Sequence, residues 1–135
     1  MRTFILYHLP VILYGAVILA VSSIPYLQTP EVRFLAFDKV AHFMEYALFA
    51  YLAFRSAARL VSPKRIIRAF LITFAILAIF AVIDEGLQSF TPGRHPDVLD
   101  YAFDVVGGTL VLLLMWLKHR RANRIDPDTA SSPAQ

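Results

Sequence analysis

Four apolar stretches, each close to the length that crosses a bilayer, take up most of this chain. A helix rising 1.5 Å per residue needs about 20 residues to cross a hydrocarbon core roughly 30 Å thick. The stretches cover residues 4–24, 38–60 and 66–90, and a fourth opens on an Asp97 cap and ends in Lys118-His119-Arg120-Arg121. Hydrophobic residues make up 58% of the 135. A water-soluble domain this small cannot hide so much apolar surface, because small domains bury the smallest share of their area. Lipid can. The expected fold is therefore all-α: an integral membrane bundle of about four transmembrane helices.

Proline and glycine mark the joints between the spans. The first span leaves through Ser22-Ser23-Ile24-Pro25, which lacks a small-x-small cleavage pattern, so it reads as a retained helix. A loop over 26–37 contains Pro30, and Ser62-Pro63-Lys64-Arg65 is a tight basic turn in which Pro63 opens the next helix. Thr91-Pro92-Gly93-Arg94-His95-Pro96 forms the second long-side loop, with Asp97 as the cap of the last span. Residues 1–121 read as one transmembrane domain. Residues 122–135, polar and rich in Ser, Pro and Asp, read as a disordered cytoplasmic tail.

Charge sets an orientation. Arg2, the group Arg55, Arg59, Lys64, Arg65 and Arg68, and the group Lys118, Arg120, Arg121 and Arg124 fall on one side of a four-pass chain. Only Arg33, Lys39 and Arg94 fall on the other. The positive-inside rule then places both termini in the cytoplasm. Acidic residues show the reverse bias: Glu31, Asp38, Glu45, Asp84, Glu85, Asp97, Asp100 and Asp104 gather at the outer half, leaving Asp126 and Asp128 in the tail. The net charge of +3 thus serves topology and anionic lipid headgroups, and no nucleic-acid partner is expected. With no cysteine in the chain, disulfides and thiolate metal sites are excluded.

The outer half also carries the residues with chemistry. Asp38, His42, Glu45 and Tyr46 share one helix face. Charges at membrane depth cost roughly 2.5–3.5 kcal/mol each on insertion scales, so they turn inward and find partners. One reading is structural, with Asp38 holding His42 and the pair pinning helices together; Glu45 has Arg94 as a candidate partner. The third span ends Asp84-Glu85-Gly86-Leu87-Gln88, where Asp84 and Gln88 share a face and Glu85 points about 100° away. Adjacent carboxylates repel unless a cation, a proton or an arginine sits between them, and Arg94 is the nearest arginine in the loop. The alternative is that Glu85 meets the headgroups and only Asp84 is buried. His95 reads as an ordinary loop histidine. Asp100 and Asp104 lie one turn apart on the fourth span, followed by Gly107 and Gly108, which read as packing residues.

The run Asp38-Lys39-x-x-His42-x-x-x-Tyr46, then Asp84-Glu85-x-x-Gln88-x-Phe90-x-Pro92-Gly93-Arg94, then Asp100 ahead of a glycine-containing apolar helix, resembles the VanZ-like family of small bacterial membrane proteins. The resemblance covers about residues 35–115. It implies a helical bundle in the bacterial cytoplasmic (inner) membrane and a link to low-level resistance to the glycopeptide teicoplanin. It also implies a functional set of Asp38, Lys39, His42, Tyr46, Asp84, Glu85, Gln88, Arg94 and Asp100. The family usually has asparagine where this chain has Asp104, and the extra carboxylate favours either cation binding or a carboxyl that keeps its proton.

The functional expectation is an outward-facing polar site that binds or processes an anionic, lipid-linked envelope intermediate. In it Arg94 and Lys39 hold phosphate, with Gln88, Tyr46 and Asp100 also contacting substrate. His42, oriented by Asp38, is the candidate acid/base, with Asp84 and Glu85 beside it. Asp84, Glu85, Asp100 and Asp104 are candidate oxygen ligands for a divalent cation such as magnesium. Two other classes stay open: a non-enzymatic accessory or binding protein of envelope biogenesis, and a structural or proton-handling bundle.

Overall fold

A computed structural model of the chain describes residues 1–26, 35–94 and 96–125. The loop around Pro30 with Glu31 and Arg33, the loop residue His95, and the tail with Asp126 and Asp128 lie outside the described residues.

The described residues are helical, and four helices run up and down in chain order. A π turn at Phe4–His8 leads into α1, Leu9–Ser22. Pro10 explains the turn: proline has no N–H to close an α-type bond to Leu6, and a wider turn accommodates the gap. The second helix, α2, spans Leu35–Ala57. It begins and ends three residues earlier than the expected 38–60. Bonds from Arg59 N to Ser56 O and from Leu60 N to Ala57 O tighten the chain into its turn. Pro63–Arg65 forms a 3-10 turn that opens α3, Ile66–Phe90. The last helix, α4, covers Val98–Ile125 and so continues through 122–125, which the sequence placed in the tail. Asp97 caps it as expected, with its Oδ1 accepting from the Leu99 N–H at 2.8 Å.

Three segments, Phe4–Ser22, Pro63–Phe90 and Val98–Ala122, are long and apolar enough to cross a membrane. The exception is α2, which carries Asp38, Lys39, Glu45 and Arg55. It is instead the central packing helix, burying Tyr46, Phe49, Ala50, Ala53, Phe54 and Ala57. Its most extensive partner is α4. Small residues let these two backbones meet: a Cβ on Gly107 would collide with the Phe43 carbonyl. Leu77 and Ala81 of α3, Ile18 of α1 and Leu112 of α4 complete the core. Ile12, Leu13, Val17, Ile79, Val82 and Leu114 point outward. An apolar exterior, with small residues where α2 and α4 touch, is what lipid, rather than water, selects.

The two ends of the bundle differ in charge chemistry. At the end where α1 and α4 meet the α2–α3 turn, Arg55 and Arg59 stack on the Tyr7 ring, Arg59 hydrogen-bonds the Tyr7 hydroxyl, and His8 Nδ1 lies 2.6 Å from Ser56 Oγ. Arg120 lies over Trp116. At the opposite end, where α1 and α3 finish and α2 and α4 begin, carboxylates predominate.

Candidate functional site

The acidic end is built by the first turns of α2 and α4 and the last turns of α3. One turn of helix separates Asp100 from Asp104, so both face α2. Lys39 Nζ donates to Asp100 Oδ1 at 2.6 Å and to Asp97 Oδ2 at 2.8 Å, tying the start of α2 to the start of α4. The Lys39 ammonium and the Leu99 N–H hold the Asp97 carboxyl below its ordinary value. Asp97 also reaches α3, because its backbone N–H donates to Glu85 Oε2 at 3.2 Å.

Deeper in the bundle, His42 Nδ1 lies 3.0 Å from Asp104 Oδ1, and its Nε2 lies 4.0 Å from Asp100 Oδ2. The partner that holds His42 is thus Asp104, where the helix face had pointed to Asp38. A one-turn neighbour lost to a residue on the helix packed most extensively against α2. Asp38 stays close: a donor atom from each of Asp38, His42 and Asp100 lies within 4.8 Å of the others. A second grouping, His42, Asp84 and Asp104, meets the same distance and is wholly buried. The oxygen-only set Asp84, Glu85 and Asp100 is not brought together among the described residues. Asp100 is committed to Lys39, and Glu85 turns toward Asp97.

Asp84 is 1% exposed and Asp104 0%. Both Asp84 oxygens, Asp104 Oδ2, Glu85 Oε1 and the Tyr46 hydroxyl have no hydrogen-bond partner among the described residues. Buried polar groups are ordinarily satisfied, so a cluster of orphans marks a place where something else belongs. Gln88, 3% exposed, shares the buried face of Asp84 as the spacing requires. Ser22, at the end of α1, is a further polar neighbour of Asp84. From sequence, Ser22 reads only as part of the exit of the first span; a hydroxyl closing an apolar run is the available signal.

Arg94 departs from expectation. Its Nη2 donates to the Val21 carbonyl at 3.3 Å, and its buried Nε has no partner among the described residues. It lies within electrostatic range of Glu45 and Asp84. It forms no ion pair with either, nor with Glu85, so it does not bridge the Asp84–Glu85 carboxylates. The loop that carries it is shaped by Gly93, whose φ of +78° suits glycine, and is tied to the end of α1 by the Tyr26 N–H donating to Pro92 O at 2.9 Å.

Beside these groups, between α3 and α4, lies a cavity of about 340 Å³ lined by Val82, Glu85, Pro96, Asp97, Val98 and Tyr101. Val82 and Val98 are on the exposed surface of the bundle, so the cavity opens sideways from it.

A four-helix bundle with an apolar exterior and a buried cluster of histidine and carboxylates at one end belongs to the class of small multi-pass membrane proteins. A family model described as VanZ/LLP1 matches residues 5–119, and the chain belongs to that family. No curated protein and no solved structure that was compared matches it.

Proposed function

We propose that this VanZ/LLP1-family membrane protein binds or processes an anionic, lipid-linked cell-envelope intermediate at the acidic end of its bundle. Arg94 carries the reading. In a neighbourhood dense with carboxylates it makes no ion pair among the described residues, and a planar guanidinium in that position suits a phosphate. Lys39, by contrast, is engaged by Asp97 and Asp100, so it positions α4 and leaves phosphate recognition to Arg94. The side-opening cavity beside Glu85 gives an apolar tail a place next to the polar groups. The charge bias supports an orientation in which this end faces the exterior of the bacterial cytoplasmic membrane and both termini face the cytoplasm. A protein that engages such intermediates there would alter their exposure to glycopeptides of the teicoplanin type.

Binding without turnover is favoured over catalysis by the state of His42. It is only 8% exposed, so little of the imidazole is presented to a molecule outside the bundle. A general base needs hydrogen-bond reach to the proton it removes. The discriminating experiment incubates the purified protein in nanodiscs with labelled polyprenyl-phosphate-linked precursor. Binding that Arg94→Ala abolishes and Arg94→Lys partly restores supports the reading, and product formation identifies an enzyme. Equal binding to anionic and zwitterionic lipid, unchanged by Arg94→Ala, rejects it.

A further inference from the structure

We propose that His42, Asp84 and Asp104 form a binding site for a divalent transition-metal ion of the zinc or manganese type. The site lies among the residues of the lipid reading but does not depend on it.

Charge balance separates this cluster from the rest of the acidic end. Asp97 and Asp100 share the Lys39 ammonium at 2.8 and 2.6 Å. Asp104 has His42 on one oxygen at 3.0 Å, but its Oδ2 has no partner among the described residues. Asp84 has neither an ion pair nor a hydrogen bond on either oxygen among the described residues, and it is 99% shielded from solvent, its exposure being 1%. Two carboxylates sharing one imidazole in a low-dielectric interior leave uncompensated charge. A dication compensates it. One donor atom from each of the three residues already lies within 4.8 Å of the other two, and the three come from three different helices. The Tyr46 hydroxyl, 0% exposed and also unpartnered, stands beside Asp84 as a further oxygen.

The donor chemistry selects the ion. One imidazole nitrogen with two carboxylate oxygens suits zinc, manganese or ferrous iron, whereas magnesium and calcium favour oxygen alone. If the ion takes His42 Nδ1, it replaces the N–H that now donates to Asp104, and that proton leaves to solvent. Asp100, 4.0 Å from Nε2, then occupies the outer position from which a carboxylate orients a ligating imidazole. The neighbouring Asp38–His42–Asp100 grouping lacks this need, because Lys39 already neutralises Asp100.

The test uses the full chain in nanodiscs, stripped with chelator and titrated with Zn²⁺, Mn²⁺ or Co²⁺ alone, with Mg²⁺ as competitor. The expected result is about one ion per chain by elemental analysis, a raised melting temperature, and Co²⁺ absorption bands of a mixed nitrogen–oxygen site. Outer-shell changes typically cost 10–100-fold in affinity, so loss of a ligand in Asp84→Asn should weaken binding by more than about 100-fold. Arg94→Ala should retain the ion while losing anionic lipid, which separates failure of this site from failure of the lipid reading. Less than about a tenth of an ion per chain with no thermal shift would overturn the proposal, as would equal affinity in Asp84→Asn. If Asp84→Asn does not fold, the wild-type stoichiometry and the Co²⁺ spectrum decide alone. Displacement of Co²⁺ by millimolar Mg²⁺ overturns the choice of ion.

Discussion

His42 of α2 and Asp104 of α4 meet at 3.0 Å in the most buried polar contact of the acidic end. The two variants of Asp104 should therefore behave differently. Asn at position 104 keeps an oxygen for the His42 N–H, so Asp104→Asn should preserve the fold with a small change in stability. Asp104→Ala leaves the imidazole unsatisfied and should cost about 1–3 kcal/mol. Unfolding in mixed detergent, followed by circular dichroism, measures both. Native-like stability of the Ala variant would show that the contact contributes nothing.

Gly107 sits where α4 touches the backbone of α2, and a methyl group there meets the Phe43 carbonyl. Overpacking of this kind typically costs 1–3 kcal/mol, so Gly107→Ala should destabilise the bundle by about that amount. Gly86 provides the contrast. Nothing lies within 4 Å of a Cβ built there, and replacing an unconstrained helical glycine by alanine gains up to roughly 1 kcal/mol. Detergent unfolding midpoints should move in opposite directions.

Lys39 is the cation that lets Asp97 and Asp100 stand together. Its removal in Lys39→Met should destabilise the acidic end by about 1–3 kcal/mol, less than for a fully buried pair because the Asp97 side chain is 42% exposed. Adding Asp100→Asn to the same chain should recover most of the loss. Acid dependence offers a second readout. The folded value of Asp97 is lowered, chiefly by Lys39. Its stabilising contribution is therefore complete above the unfolded value of about 3.9 and fades as pH falls through the lower folded value. Melting temperatures below roughly pH 4 should fall more steeply for the native chain than for Lys39→Met.

The orientation can be read by labelling, since the chain contains no cysteine. Ser89→Cys lies near the acidic end and Ser62→Cys in the basic turn, and both side chains are exposed. An impermeant maleimide added to spheroplasts should label position 89 and reach position 62 only after permeabilisation. The reverse pattern would invert the proposed topology.

The helices were legible because hydropathy and punctuation agree. Pro63 and Asp97 start α3 and α4 as their chemistry requires, and Phe90 ends α3 at the predicted residue. The company each charged residue keeps was less legible. A 3.6-residue period puts Asp38 beside His42, but the rotation of α2 against α4, fixed partly by the close approach at Gly107, gives His42 to Asp104 instead. Arg94 shows the same limit: its loop residue number says nothing of whether it turns to Asp84 and Glu85 or to the Val21 carbonyl. The early start of α2 escaped the sequence because Asp38 reads equally well as a first-turn residue and as an edge of the apolar run.

The opening past Val82 and Val98 has a consequence for access. On the proposed lipid-linked reading, a ligand reaching Glu85 by that route would drift within the leaflet and enter from the flank, its greasy portion staying in the hydrocarbon. Residence in the membrane, rather than concentration in the surrounding water, then governs how often the pocket is filled. Soluble headgroup fragments should accordingly be poor competitors for a ligand that keeps its chain.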